Sequence, residues 1–219
     1  MVEVEVNIKN LKVELANYSG RIVAVSKYVD ARQIEKAYFA GIRNFGESKA
    51  IESLGKINSL PNEVKDNSIW HFIGHLQSNK AKYVVGNFDY IHSVDSLKLA
   101  KVIDNLAKEK GIVQKILLQV NISQEKTKFG CNESEMFELF SEIIKLENVK
   151  VEGLMTMAPF MSSESEISEI FRCTRHLKEK LEDKFSYPMK ELSMGMSNDY
   201  LLAIQEGATM IRVGTKIFK

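Results

Sequence analysis

Lys27 closes the first apolar run of the chain, Ile22-Val23-Ala24-Val25-Ser26-Lys27. An ammonium at the end of a buried strand loses hydration, and desolvation favours the neutral amine. A neutral amine is a nucleophile that can form a Schiff base with a carbonyl. The same position also suits a lysine that snorkels to water on its long stem. Two segments near the C-terminus offer matching chemistry. Ser193-Met194-Gly195-Met196-Ser197 leads into a helix expected to begin near Asn198-Asp199, and Gly214-Thr215 follows the last β-rich run. Glycine lets backbone come close to a ligand, and hydroxyls and helix-start N–H groups suit an anion. Either segment alone reads equally well as a glycine turn with a serine cap; the pair points to phosphate. Arg212 lies inside Met210-Ile211-Arg212-Val213, where an unpaired charge is costly. It either pairs with an inward carboxylate such as Glu191 or faces a ligand.

These residues must be positioned by a scaffold, and the chain alternates β-rich runs with helical patterns. Strands are predicted at 22–26, 42–45, 69–73, 90–93, 115–121, 149–155, 190–193 and 210–213. Between them, Asp30 reads as a helix N-cap with Gly41 as the stop, Asp95 as another helix start, and 136–143 and 167–181 carry helical apolar spacing. An open doubly wound sheet would carry a GxGxxG turn after its first strand, and none is present. Eight strands in 219 residues suit a (β/α)8 TIM barrel over 1–219, in which working residues sit at the C-terminal strand ends. The chain stops soon after the last strand, so a final helix is expected to be missing, its place covered by the amphipathic segment 6–18.

Bulk properties narrow the function. Thirty basic against twenty-nine acidic residues give a net charge of +1, which offers nucleic acid or an anionic membrane no strong attraction. No apolar run approaches the ~20 residues that span a bilayer. The start, Met1-Val2-Glu3-Val4-Glu5-Val6, lacks the order of a secretion signal, and Cys131 and Cys173 form no CxxC pair. A cytoplasmic protein, monomeric, is expected.

Amine, anion loops and strand-borne arginine together suggest pyridoxal 5'-phosphate (PLP). Lys27 would carry it as an internal aldimine, Ser193, Ser197, Gly214 and Thr215 would hold the phosphate, and Arg212 would face the pyridine nitrogen. Arginine donates hydrogen bonds and does not readily give up a proton, so that nitrogen would stay largely unprotonated and the electron sink muted.

The chain resembles the YggS/PROSC family of PLP homeostasis proteins from Val23 to Phe218. The likeness rests on Ala24-Val25-Ser26-Lys27, Asn44-Phe45-Gly46-Glu47, Trp70 to Lys80, and His92-Ser93-Val94-Asp95. It continues in Gly153-Leu154-Met155-Thr156-Met157, Leu192 to Ser197, and Arg212-Val213-Gly214-Thr215. The resemblance implies a barrel like the N-terminal domain of alanine racemase, with PLP on Lys27. It adds Asn44, Met194 and Gly195 to the cofactor-binding set. It implies a role in keeping PLP available, with apo PLP-dependent enzymes as recipients and no established turnover. Ser48-Lys49 stands where members carry Asn-Tyr, and Lys216 and Lys219 replace a small residue and a glycine.

Two other readings stay open. An amino-acid racemase needs an acid/base group on each face of its substrate; Lys27 could serve one, with His75 or Tyr28 opposite. A Schiff-base aldolase would use Lys27 without PLP. His71 and His75 make an HxxxH spacing across a strand end, without the glutamate of the zinc-protease motif, so ring packing and hydrogen bonding are expected there. Gln77, Asn79 and Lys80 form a rim contact or cap a helix.

Overall fold

The computed structural model describes residues 4–122, 130–131, 133–159 and 162–219. Met1, Val2 and Glu3, part of the segment read for a secretion signal, lie outside them. Eight parallel strands close into a barrel in chain order. They are β1 (Arg21–Val25), β2 (Asn44–Glu47), β3 (Ile69–Phe72), β4 (Tyr90–Val94), β5 (Gln114–Gln119), β6 (Val149–Met155), β7 (Glu191–Met196) and β8 (Met210–Val213). Outside the sheet lie α1 (Val4–Glu14), α2 (Ala31–Phe39), α3 (Ala50–Asn58), α4 (Asn62–Asp66), α5 (Leu97–Glu109) and α6 (Glu133–Ile143). The ring is completed by α7 (Glu164–Phe185), α8 (Tyr200–Gln205) and α9 (Thr215–Phe218), with a 3-10 turn at Ser78–Tyr83 after β3. Among the described residues no helix is long and apolar enough to cross a membrane.

Closure is visible in β1, which pairs with β2 on one side and β8 on the other, Val25 facing Gly46 and Ala24 facing Val213. Alternation divides each strand between two cores. On β1, Ala24 joins the large core between sheet and helices, whereas Val23 packs inside the barrel with Tyr90 and Met210. Local signals place the helices. Asp30 accepts from the Gln33 amide at 2.9 Å and Gln33 reaches back, forming a capping box. The helix expected from Asp95 is capped instead by Ser96, whose hydroxyl meets the Leu99 amide. The second strand, expected at 42–45, starts later because the Ile42 amide still bonds to Ala37 in the turn that ends α2. It runs on to Glu47, which pairs with Phe72.

The gap beside the last strand is filled from both chain ends. The expectation of no final helix is corrected by α9, one turn long. As expected, the N-terminal segment covers this place: α1 packs on α2 and α9 and buries Val4, Ile8 and Leu11. Asn7 Nδ2 donates to the Ile217 carbonyl at 3.1 Å, and Lys216 Nζ pairs with Glu14 at 2.7 Å. Lys216, a departure from the family pattern, thus ties the two ends together. Ile8 is 1% exposed and Val13, on the same helix, 71%. Urea denaturation should show Ile8→Ala costing about 2–5 kcal/mol and Val13→Ala less than about 0.5 kcal/mol; equal effects would contradict the docking of α1.

Candidate functional site

Barrel closure brings the two ends of the sequence to one rim. Because β8 lies between β7 and β1, Gly214-Thr215 sits between the turn after β7 and the turn after β1 that carries Lys27. Ser197 Oγ accepts a hydrogen bond from the Gly214 amide at 3.2 Å, so the two expected anion-binding segments touch. Gly195 has φ +89°, and a Cβ there would stand 2.6 Å from Ala203 and 2.9 Å from Tyr200 Cα. Glycine is required because α8 presses on this turn. Met194 is fully buried in the helix-side core, so its side chain is remote from the rim and only its backbone is available. Thr215 is exposed at the rim.

Lys27 differs from its expectation. It lies beyond the end of β1 in a turn, and it is exposed, with its ammonium 4.9 Å from the centre of the exposed Tyr28 ring. The reason is that β1 ends at Val25, leaving Lys27 above the rim instead of within the strand. Desolvation therefore does not single this amine out; its location does.

Below the rim, the barrel interior holds a continuous polar chain. Arg212, only 4% exposed, donates through Nη1 to Ser193 Oγ at 2.6 Å and through Nη2 to the Thr156 carbonyl at 2.8 Å. Ser193 Oγ lies 2.9 Å from His92 Nδ1, His92 Nε2 lies 2.8 Å from His71 Nδ1, and His71 Nε2 lies 3.0 Å from Asn44 Oδ1. One assignment of protons satisfies every link. Arg212 donates to Ser193, Ser193 to His92, His92 to His71, and His71 to the Asn44 oxygen. Each imidazole is then neutral, with one nitrogen donating and the other accepting. Burial favours that state: it lowers His71 to about 3 and His92 well below its ordinary range, the neighbouring cations adding to the effect. Burial also pulls the Arg212 guanidinium down to about 10, where it remains charged at neutral pH.

Several expectations change in consequence. Ser193 is fully buried with its hydroxyl engaged by Arg212 and His92, so it holds the arginine and is not placed to grip phosphate. Glu191 does not pair with Arg212. It pairs with Arg21 and accepts from Thr209 at 2.8 Å, one layer lower in the barrel. His71 is stacked on Tyr90 with ring centres 5.0 Å apart and planes at 9°, which fits the packing role expected of it. His75 stands apart, exposed at 3.9 Å from Asp95. Among the described residues no group of three metal-binding side chains gathers. Gln77 precedes the 3-10 turn without a side-chain capping bond. Sequence reading missed Thr156 as a partner of Arg212 and His92 as the partner of Ser193. The alternation Tyr90, His92 was the available signal, but only barrel closure shows that β4 faces β7 and β8.

Two neutral buried histidines make stability depend on pH. Their folded affinities for protons lie below the unfolded value of 6.5, so the unfolded chain binds more protons as pH falls below that value. The stabilisation is complete above 6.5 and is lost progressively toward about 3 for His71. At about pH 5, His71 alone should account for a loss of roughly 2 kcal/mol. Urea midpoints should fall between about pH 7 and pH 5, with a smaller fall in His92→Gln. Identical midpoints at both pH values would contradict the neutral chain.

Known proteins match this architecture throughout. The alanine racemase N-terminal domain family matches residues 3–219. A pyridoxal phosphate homeostasis protein of Synechocystis is 44% identical over 200 residues, 91% of each chain. That of Escherichia coli K12 is 36% identical over 199 residues, 90% of this chain and 84% of its own. PipY of Synechococcus elongatus, solved with PLP bound, superposes with a TM-score of 0.90 at 37% identity, covering 99% of this chain and 100% of PipY. Alanine racemase of Clostridium difficile shares the fold at 16% identity and a TM-score of 0.76. A (β/α)8 barrel with this strand order, matched along almost its whole length at such identities, belongs to the YggS/PROSC family of pyridoxal phosphate homeostasis proteins, within the alanine racemase N-terminal domain fold.

Proposed function

We propose that this chain binds PLP as an internal aldimine on Lys27 and acts in PLP homeostasis without a turnover of its own. The observation that carries the proposal is Arg212. It is a buried cation clamped by Ser193 and Thr156 on the strand next to the one that delivers Lys27. The residues fit the cofactor. Lys27 supplies a primary amine, Ser197 and Thr215 supply hydroxyls, and Gly195 and Gly214 supply backbone without side-chain bulk. A Cβ on Gly214 would lie 3.3 Å from Val25 Cβ, so a side chain there would crowd the end of β1. Asn44, held by His71, lies on β2, the other neighbour of β1. PLP, when bound, would supply an aldehyde and an electron-withdrawing ring, and Lys27 would offer its amine to that aldehyde.

Arg212 sets the character of the site. With PLP bound, the Arg212 guanidinium would donate to the pyridine nitrogen and would not protonate it. Its two anchoring bonds fix the direction of donation. This would favour retention of the cofactor over strong carbanion stabilisation. The whole of 1–219 would serve as one PLP-binding domain, cytoplasmic and monomeric, that passes PLP to apo PLP-dependent enzymes.

The test is an ultraviolet–visible spectrum of protein incubated with PLP, followed by borohydride reduction and peptide mapping. The reduced adduct should map to Lys27, and Lys27→Ala should lose it. Arg212→Gln should weaken PLP retention about tenfold or more, the loss of a charged hydrogen bond, while remaining folded by denaturant melt. A protein that PLP cannot colour would overturn the reading.

A further inference from the structure

We propose that Lys56 and Glu47 are positioning residues for Lys27, resting on the reading that Lys27 is the cofactor-bearing amine. Glu47 ends β2 and Lys56 lies in α3, and they meet on the helix side of the barrel wall, beneath the turn that carries Lys27. Their charged groups are 2.6 Å apart, and the two side chains are only 17% and 2% exposed. An ammonium has three N–H donors. Lys56 directs them to Glu47 Oε1, to the Ser26 carbonyl at 2.6 Å and to the Val29 carbonyl at 3.3 Å. Those carbonyls flank Lys27-Tyr28 on either side. Glu47 grips the same segment, accepting from Ser26 Oγ at 2.6 Å, and it is itself steadied by Ser53 Oγ at 3.1 Å.

The turn after β1 is therefore held by its backbone at Ser26 and Val29 and by the Ser26 hydroxyl. The Ser26 amide adds a sheet bond to Gly46 at 2.9 Å. Ser26 faces the helix layer, where its hydroxyl meets Glu47, and Lys27 follows it in the turn above the rim. A buried ion pair is a poor means of stabilising a fold, because desolvation offsets most of the attraction. Here its hydrogen bonds are spent on one turn, the one that bears an exposed and otherwise lightly held amine. The pair is a clamp that gives a surface lysine a fixed origin. With all three donors engaged within the protein, Lys56 is a support and not a second reactive amine.

Amide hydrogen exchange of the protein without PLP, read by mass spectrometry over a peptide containing 26–29, tests the clamp independently of the cofactor. Reductive trapping of PLP at Lys27 tests its consequence. In Lys56→Met and Glu47→Gln, exchange at 26–29 should quicken while β4 and β5 keep their protection. Trapping at Lys27 should slow about tenfold or more, as expected for a displaced reacting group. Lys56→Arg should restore part of both. If a single substitution unfolds the chain, the paired Glu47→Leu/Lys56→Met variant removes both charges and should show the same local loosening in a folded barrel. Wild-type exchange and trapping rates in a folded paired variant would overturn the inference. Trapping of wild-type protein at another lysine would instead sink the reading of Lys27, with the exchange data still deciding whether the clamp exists.

Discussion

The structure turns on a positive charge inside a barrel. Arg212 cannot shed its proton readily and is almost wholly buried, so the surrounding strands must supply acceptors. They do so from opposite parts of the sequence: a carbonyl at the end of β6 and a hydroxyl on β7. Ser193 has one proton to give, and passing it to His92 commits that ring, then His71, then Asn44. A single buried cation thereby orients a hydrogen-bond chain that crosses the barrel from β8 to β2. The cost is two desolvated imidazoles that must stay neutral. The gain is a guanidinium with little freedom to turn, set below the rim where the chain's two ends meet.

The rim depends on closure in a second way. Lys27 comes near the start of the chain and Gly214-Thr215 near its end, and only the pairing of β1 with β8 makes them neighbours. Anything that loosens that seam separates amine from anion loop. The protein guards it from outside with α1, which buries apolar residues against α2 and α9 and bonds to the C-terminal turn through Asn7 and Glu14. The seam and the site are thus one problem in packing, with a polar solution inside the barrel and an apolar one outside.

Much of this was legible in the residues. Alternating β-rich and helical segments without a dinucleotide-binding turn pointed to a closed barrel, and the glycine and hydroxyl segments stood at strand ends as such a barrel requires. The N-cap at Asp30 and the stop at Gly41 were readable because capping is local chemistry. What was not legible depended on pairs far apart in sequence. Arg212 had two plausible fates, one of them an inward carboxylate such as Glu191; the structure gives Glu191 to Arg21. Ser193 looked like an anion ligand because serine and glycine stood together, but its position on β7 turns the hydroxyl inward to the arginine. Lys27 looked desolvated because it ended an apolar run, and the strand proved to end two residues earlier.

The most direct test of the central claim, that Arg212 and Lys27 form two ends of one cofactor site, is a crystal structure of the protein after incubation with PLP. The account predicts density continuous with Lys27 Nζ, phosphate against Ser197, Gly214 and Thr215, and the pyridine nitrogen on Arg212 with its bonds to Ser193 and Thr156 kept. PLP attached to a different lysine, or lying on Lys27 with its ring turned away from Arg212, would contradict it.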